Sequence, residues 1–243
     1  MGNLISAIVP VLNGEKYLKD FNTSLLSNFK SVNFIFVCSK STDNTESILS
    51  KLDSEFTNVN VLYIDVNVYE AMNIGIEHSV SKYLIFLGAD DSLLEDNMNE
   101  LLCMLETSSR SIILGKVKIE NNHIKREIKP VIKKVPAVYH HQSILFKRDL
   151  LIDNNLRYDL DYKIHSDFDF IQRSILAMSD ETVFISDLKF VLVRAGGMSS
   201  SGKNFRRSSV EIYKTLKKYN GLFRAETLLI FLRLLFYFIR RYK

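Results

Sequence analysis

The chain has few of the residues that stabilise small secreted proteins or form long irregular connections. Its 243 residues include 2 cysteines, 3 prolines, 9 glycines and no tryptophan. Two cysteines are too few for a disulfide framework, and so little proline and glycine leaves no room for a flexible linker. A hydrophobic content of 47% is enough for one large core, or for a core with a small lobe. We therefore expect one compact unit. No secretory signal precedes the first predicted strand, so we expect reduced thiols in the cytoplasm.

Two glycine-rich motifs that bind phosphate are also missing. The first predicted strand is not followed by Gly-x-Gly-x-x-Gly, and Gly-x-x-x-x-Gly-Lys-Ser/Thr does not occur in the chain. These absences exclude a dinucleotide fingerprint and a P-loop. A bound pyrophosphate would therefore need a metal ion or cationic side chains.

Strands and helices alternate through the first half of the chain. The predicted strands are Leu4–Val11, Phe34–Val37, Val59–Ile64 and Tyr83–Leu87, and the predicted helices are Glu15–Phe29, Asn44–Leu52, Tyr69–Ser79 and Leu93–Glu106. Such alternation indicates an α/β protein with a mostly parallel sheet and helices on both faces. After Ser111 the pattern changes, and Ile112–Ile119 and the basic stretch Lys125–Lys134 suggest strands that wrap back as a second lobe.

Two adjacent carboxylates, Asp90 and Asp91, follow the apolar strand Tyr83–Leu87. The carboxyl ends of parallel strands are where open α/β sheets bind ligands, and a divalent cation would relieve the repulsion between the two charges. The pair also has a simpler interpretation, because Ser92 to Glu95 fits a capping box and acidic residues favour the first turn of a helix. These residues alone leave the metal site and the helix cap open.

Four motifs occur in the order that one known family uses. They are Ile5–Glu15 (ISAIVPVLNGE), Phe34–Val37 followed by Lys40–Thr45 (KSTDNT), Asp65 with Val68–Ile76 (VYEAMNIGI), and Leu87–Asp91 (LGADD). Residues 4–91 thereby resemble the amino-terminal half of the family 2 glycosyltransferases, which are inverting enzymes of the GT-A fold. The resemblance implies a GT-A domain over 1–202, with a nucleotide-sugar half at 1–110, an acceptor lobe at 111–202, and a basic amphipathic helical tail at 203–243.

The chain departs from the family pattern at two places. Family members usually carry an aspartate just before the second motif, where it reads the base of the nucleotide, and this chain has Cys38, Ser39 and Lys40 instead. The first position of the family's Asp-x-Asp is Gly88, so that Asp90 and Asp91 are the carboxylates left at this motif. The first departure leaves the identity of the donor open.

The resemblance implies a role for each matching residue. Asp91 is expected to hold Mn²⁺ or Mg²⁺, which would neutralise the diphosphate of the leaving group. The residues expected to contact the donor are Pro10, Leu12, Asn13, Glu15, Asp43, Asp65, Met72, Asn73 and Asp90. On the acceptor side we expect His141, Gln142 and Asp169.

The general base is predicted in the segment Tyr158–Phe170, because the family places its base at the start of a helix after such a segment. Asp167 is our choice, with Asp169 as the second candidate. An apolar stripe at helical spacing, which includes Phe168 and Ile171, would hold Asp167 on a rigid element. Asp167 could instead cap this helix together with Ser166, and the two roles are compatible.

Positive charge is concentrated at the carboxyl end. Residues 203–243 contain 11 Lys and Arg and 2 Asp and Glu, a net charge of +9, so the other 202 residues carry −5 of the total of +4. The apolar segment 228–239 is interrupted by Arg233 and is shorter than the ~20 residues that span a bilayer. A helix on an anionic membrane surface fits this pattern, and a packed helix or a contact between copies of the chain fits it almost as well. No recognisable nucleic-acid module accompanies the basic residues.

The resemblance implies a hexosyl- or N-acetylhexosaminyl-transferase that uses a nucleotide-sugar donor and a glycan or lipid-linked saccharide acceptor. It would be cytoplasmic or peripheral on the inner face of the cell membrane. Two other classes stay open: a noncatalytic protein that binds sugar nucleotides or glycans, and a membrane-docked assembly protein.

Overall fold

The protein is built on a single mixed sheet covered by helices. The computed structural model describes residues 3–19, 23–120, 125–128, 140–178, 183–194, 205–220 and 232. The strands are β1 (Ile5–Val11), β2 (Val32–Cys38), β3 (Val59–Tyr63), β4 (Tyr83–Phe86), β5 (Ser92–Leu93), β6 (Ile112–Glu120), β7 (Lys125–Ile128), β8 (Ile144–Lys147) and β9 (Val183–Arg194). The helices are α1 (Glu15–Leu18), α2 (Thr23–Asn28), α3 (Thr45–Glu55), α4 (Val68–His78), α5 (Met98–Thr107), α6 (Arg148–Asp153), α7 (Ser166–Leu176) and α8 (Phe205–Asn220).

The strands run in the order β3-β2-β1-β4-β8-β6-β9-β5, and β7 pairs with β6. The first four strands of the chain are parallel to one another, as the β-α alternation predicts. β8 is antiparallel to both β4 and β6, so it connects the parallel half to the second half of the sheet. The carboxyl ends of β1 to β4 therefore lie at one edge, with the start of β8 beside the end of β4.

The core occupies both faces of the sheet because successive residues of a strand point to opposite sides. In β4, Tyr83 and Ile85 pack with the cluster under α3 and α5, whereas Leu84 and Phe86 pack with the cluster under α4 and α7. Phe170 of α7 contacts the ring of Phe86 at a centroid distance of 5.7 Å. This contact fixes α7 against the strand that leads to the acidic pair.

One predicted helix begins later than expected. The range Leu93–Glu106 contains the short strand β5, a 3₁₀ turn at Glu95–Asn97, and α5, which begins at Met98. Leu93 is buried and pairs with Val191 of β9, and the Leu94 N–H donates to the Phe190 carbonyl at 2.9 Å. The capping box predicted at Ser92 is therefore wrong, because a pairing with a distant strand takes precedence over the local signal.

α8, the first part of the predicted basic helical tail 203–243, packs against α7. Ile212 and Leu216 of α8 are buried. Apart from Leu232, residues 221–243, which include the apolar segment 228–239, lie outside the described residues. Within the described part of the chain, no helix has the length and apolar character needed to cross a membrane.

Candidate active site

The acidic pair lies at the carboxyl end of β4, as predicted. Asp91 is 4% exposed, and its Oδ2 accepts a hydrogen bond from the Gly88 N–H at 2.8 Å. Burial, together with the negative charge of Asp90, raises the pKa of the Asp91 carboxyl to about 6. Since α5 begins only at Met98, neither carboxylate is at its amino terminus, and the helix-cap interpretation of the pair is wrong.

Gly88 lets the two carboxylates approach the same point. A Cβ atom at this position would lie 2.5 Å from Asp90 Oδ1 and 3.0 Å from Asp91 Oδ2. Carboxylate oxygens that converge in this way are ligands that Mg²⁺ and Mn²⁺ favour. Within the described ranges, no group of three His, Cys, Asp or Glu side chains could hold a metal ion. A cation bound here would therefore share its coordination with other oxygen ligands.

His141 and Gln142 lie beside this pair because the short turn His141–Ser143 leads directly into β8, the neighbour of β4. The Gln142 side chain donates a hydrogen bond to Asp91, and His141 is close enough for its charge to lower the pKa of Asp91. Both effects oppose the larger effect of burial. The histidine-glutamine segment thus contacts the acidic pair directly.

Asp167 lies in the first turn of α7 and faces His141. Its Oδ2 is 3.1 Å from His141 Nδ1, and its Oδ1 accepts a hydrogen bond from the Phe168 N–H at 2.8 Å. Burial raises the pKa of the Asp167 carboxyl, but the hydrogen bond from His141 and the charges of His141 and His165 outweigh it, so the pKa lies below its ordinary value. Asp167 is thus held in its ionised form, which can accept a proton.

The predicted cap of α7 by Ser166 and Asp167 is not what the structure contains. The Ser166 hydroxyl donates instead to the carbonyl of Asp159, and the residue that precedes the helix, His165, makes no capping bond through its side chain. The backbone N–H groups ahead of the helix donate to a residue of α8, Glu211. Asp167 is therefore not occupied as a cap.

The loops that follow β1 and β2 are joined by hydrogen bonds. Asn13 has a φ of 49°, and its side-chain oxygen accepts from the Thr42 N–H at 2.8 Å. Asp43 accepts from the Glu15 N–H at 3.1 Å, and Glu15 in turn accepts from the Asn44 backbone N–H at 3.1 Å. The hydrogen bond from the Asn44 side chain is the largest effect that lowers the pKa of Glu15 to about 2. Asn13, Glu15 and Asp43 thus link the two loops, and their contact with a donor stays a prediction.

The other predicted donor residues at this edge are more accessible. Pro10 is half-buried near the end of β1, and Leu12 beyond it is 61% exposed. Asp65, which follows β3, is exposed, and Asp90 is half-buried. Their contact with a donor stays a prediction.

Three other predicted site residues make packing, hydrogen-bond or ion-pair contacts within the protein. Met72 is buried in the core, and the Asn73 side chain pairs with the backbone of Tyr158, accepting from its N–H at 2.7 Å and donating to its carbonyl at 2.9 Å. Asp169 is fully buried and accepts hydrogen bonds from Arg173 Nε at 2.7 Å and from the Tyr219 hydroxyl at 3.0 Å. The predicted contacts of Met72 and Asn73 with a donor, and of Asp169 with an acceptor, stay predictions.

Two features of the site were not predicted. Ser39, in the region where the family usually has an aspartate, is buried and donates its hydroxyl hydrogen to the carbonyl of Val66 at 2.6 Å. The second feature is a polar stripe on α8 that contacts the segment around Asp167. Its members are Ser208, Glu211, Thr215 and Tyr219. Their spacing of three and four residues is a signal that the sequence did contain.

This fold, with carboxylates at the ends of parallel strands and a mixed second half, is the GT-A fold of nucleotide-sugar-dependent glycosyltransferases. The solved structure of S. aureus TarS in complex with UDP-GlcNAc aligns with 98% of this chain and 72% of that chain, at a TM-score of 0.70 and 18% identity. The sequence model of glycosyl transferase family 2 matches residues 6–166. The chain belongs to glycosyl transferase family 2.

The chain is also similar to two other bacterial proteins in sequence and to a further solved structure in fold. The chain is 24% identical over 237 residues to the minor teichoic acid biosynthesis protein GgaB of Bacillus subtilis, covering 87% of this chain and 26% of that protein. It is 30% identical over 102 residues to an uncharacterized glycosyltransferase of Haemophilus influenzae, covering 41% of each. The mannosyltransferase PcManGT of Pyrobaculum calidifontis, solved with GDP-Man and Mn²⁺, covers 93% of this chain at a TM-score of 0.65 and 12% identity, and 66% of that chain is covered. The chain thus spans less than half the length of these two curated relatives.

Proposed function

We propose that this chain transfers a sugar, with inversion, from a nucleotide-diphosphate donor to a hydroxyl group of a glycan or a lipid-linked saccharide. The observation that carries the proposal is that one short turn contacts both acidic groups, because His141 Nδ1 lies 3.1 Å from Asp167 Oδ2 and Gln142 is bonded to Asp91. These residues come from the end of β4, the turn before β8 and the start of α7. An acidic pair with one buried carboxylate and an ionised base fit glycosyl transfer, which needs a place for a diphosphate and a proton acceptor.

Asp167 is the proposed general base. A carboxylate whose pKa lies below its ordinary value is ionised at neutral pH, so it is ready to take the proton of the attacking hydroxyl. The hydrogen bond from His141 Nδ1 orients Oδ2, and the first turn of α7 fixes the backbone. One base that activates an incoming hydroxyl is sufficient for a single displacement with inversion.

A divalent cation fits the acidic pair. Asp91 and Asp90 would hold it, since their oxygens converge over Gly88 and the buried charge of Asp91 has no cationic side chain among its hydrogen-bond partners in the described residues. Mg²⁺ and Mn²⁺ are commonly bound by one or two carboxylates together with phosphate oxygens and water. When bound, the ion would neutralise the charge that develops on the diphosphate leaving group. The Mn²⁺ in the PcManGT complex supports this assignment.

The donor is proposed to carry a hexose or an N-acetylhexosamine. The relatives include structures with UDP-GlcNAc and with GDP-Man, so the fold accommodates both kinds of sugar and two different bases. Ser39 has no carboxylate with which to read the base, and its hydroxyl is already bonded to the backbone of Val66. Other groups must therefore set the nucleotide preference of this chain.

A location at the membrane surface is proposed from the outer face of α8. Its exposed cations include Arg207 and Lys217, whereas the exposed Lys214 and Lys218 also contact the Tyr162 ring and Asp169. Val210 and Tyr213, 60% and 42% exposed, add apolar surface to the same face. Each basic residue near an anionic membrane adds about 1 kcal/mol of attraction. A lipid-linked acceptor would then be within reach of the cleft.

The base is tested by Asp167→Asn, with Asp161→Asn as the matched control. Asp161 is an exposed aspartate in the same segment, and its backbone rather than its side chain is hydrogen-bonded. Asp167→Asn should bind the donor about as well as the parent but transfer the sugar ~10²–10⁴-fold more slowly, as expected for loss of a general base. Asp161→Asn should match the parent in both measurements. Equal losses of donor affinity and transfer rate in Asp167→Asn would assign Asp167 a structural role.

A further inference from the structure

The segment that carries the proposed base is fixed by a buried carboxylate from another helix. Glu211 of α8 is 8% exposed and accepts three backbone hydrogen bonds. Its Oε1 accepts from the Lys163 N–H at 3.0 Å, and its Oε2 accepts from the N–H groups of Ile164 and His165, both at 2.9 Å. These three residues immediately precede α7. A negative charge at this place is also favoured by the dipole of that helix.

Other residues on the same stripe of α8 hold the same segment. The Ser208 hydroxyl lies 2.5 Å from His165 Nε2, and the Thr215 hydroxyl donates to the Tyr162 hydroxyl at 3.1 Å. Ser208, Glu211 and Thr215 recur at intervals of three and four residues, so they share one face of α8. The polar face of α8 therefore holds residues 162–165 in place through hydrogen bonds.

The opposite side of the segment is bonded to α4. The Tyr69 hydroxyl donates to the carbonyl of Ile164, and Asn73 pairs with the backbone of Tyr158. Ile164 is thus held by its carbonyl from α4 and by its N–H from α8. Since Asp167 is only three residues further along, these contacts determine where its carboxylate lies relative to His141.

We infer that Glu211 is a positioning residue for Asp167, which makes α8 a component of the active site. The inference rests on the proposed role of Asp167 as the base. Glu211 does not touch a reacting group, because it contacts the backbone ahead of α7. Its loss would leave the buried N–H groups of Ile164 and His165 unsatisfied, together with the partly buried N–H of Lys163, and release the start of the helix. A shift of about 1 Å in a catalytic group is enough to slow a reaction ~100-fold.

The test is a double-mutant cycle that combines Glu211→Ala with Asp167→Asn, measured as transfer rate at saturating donor. Glu211→Ala alone should lower kcat by ~10-fold or more and leave the donor dissociation constant within about twofold. In the Asp167→Asn background, the same substitution should cause almost no further loss, because the base that it positions has already been removed. The control Glu106→Gln, an exposed glutamate at the end of α5, should match the parent.

Several results would overturn the inference. If the two losses multiply, or if Glu211→Ala lowers the thermal midpoint without changing kcat, Glu211 has a structural role only. Should the alanine variant fail to fold, Glu211→Gln replaces it, because one amide oxygen at the Oε2 position keeps two of the three contacts. That variant should show a smaller loss of kcat with the same lack of additivity. A fully active Asp167→Asn variant would contradict the proposed role of Asp167 as the base. The cycle separates this result from a failure of the inference about Glu211, because the single Asp167→Asn variant is measured on its own.

Discussion

At the scale of single residues, the acidic pair shows why a local motif had two interpretations. The residues after Asp91 contain a good capping signal, yet the chain uses Ser92 and Leu93 as a strand and starts the helix at Met98. The decisive contact is between Leu93 and Val191, which are 98 positions apart. A pattern read over a few neighbouring residues carries no information about such a pairing, whereas the position of Asp91 at a strand end followed directly from the apolar run before it.

Asp91→Asn tests the metal assignment. Asparagine keeps an oxygen that can accept from the Gly88 N–H, so the fold should be retained, but it lacks the charge that a divalent cation needs. We expect most of the transfer activity to be lost and Mn²⁺-dependent donor binding to weaken, as measured by titration calorimetry with and without the metal. Unchanged turnover in this variant would exclude Asp91 as the principal ligand.

His141→Phe tests how the ionised state of Asp167 is maintained. In the parent, the hydrogen bond and charge of His141, together with the charge of His165 and the Phe168 N–H, outweigh burial and hold the pKa of Asp167 below its ordinary value of ~3.9. The substitution removes the two effects of His141, which are the largest of those that lower the pKa, so the pKa should rise. By linkage, the ionised Asp167 of the parent stabilises the fold above its unfolded pKa, and this stability is lost as the pH falls through the folded pKa.

Carboxyl carbon NMR of the parent and of His141→Phe measures this pKa directly. The resonance of Asp167 should titrate at a lower pH in the parent than in the variant. The control is His78→Phe, which replaces an exposed histidine at the end of α4 and should leave the titration of Asp167 as it is in the parent. If the Asp167 titration does not move, or moves to lower pH, His141 does not hold the base in its ionised form.

At the scale of elements, β1 to β4 and α3, α4 and α7 were predicted well, because each has a clear local pattern of hydrophobic residues. β8 and β9 were not predicted, since their partners are strands far away in the chain. The residues of the site follow the same rule. Asp91 and Asp167 were located from local patterns and the family resemblance, whereas Glu211 was not, because its function depends on the packing of α8 against the start of α7.

Gly75 and Gly88 provide a matched test that separates the packing of the fold from the geometry of the site. A Cβ at Gly75 of α4 would lie 2.3 Å from Ile8 Cγ2 in the centre of β1, so Gly75→Ala should destabilise the fold by about 1–3 kcal/mol. At Gly88, the nearest atom is the end of the flexible Asp90 side chain. Gly88→Ala should therefore unfold at nearly the parent urea concentration, yet bind the donor more weakly in Mn²⁺. Equal stability losses in the two variants would contradict this assignment.

At the scale of the whole molecule, charge is segregated. Residues 203–243 carry +9 while the rest of the chain carries −5, and the exposed side of α8 displays part of that positive charge. We expect the protein to sediment with anionic liposomes at low salt and to be released as the salt concentration rises. Deletion of residues 222–243 should weaken this binding, since part of the positive charge is removed and the cations of α8 stay, but it should retain transfer to a soluble acceptor, because α8 and Glu211 remain.

The same truncation tests whether the carboxyl end contacts another copy of the protein instead of a membrane. If the full-length chain does not bind liposomes at low salt and the truncated chain forms a smaller assembly, the carboxyl end is a contact between copies of the protein. Light scattering of both chains measures this directly. Liposomes of neutral lipid serve as the control for attraction by charge.

The central claim is sugar transfer from a nucleotide donor, and a donor panel tests it most directly. The full-length chain is incubated with UDP- and GDP-linked hexoses and N-acetylhexosamines, with and without Mn²⁺ and a saccharide acceptor, and the released nucleoside diphosphate is measured. The account predicts that at least one donor releases its diphosphate faster when both Mn²⁺ and acceptor are present, and that Asp91→Asn and Asp167→Asn each suppress this release. Donor binding without turnover across the whole panel would contradict the account and identify a noncatalytic sugar-nucleotide-binding protein.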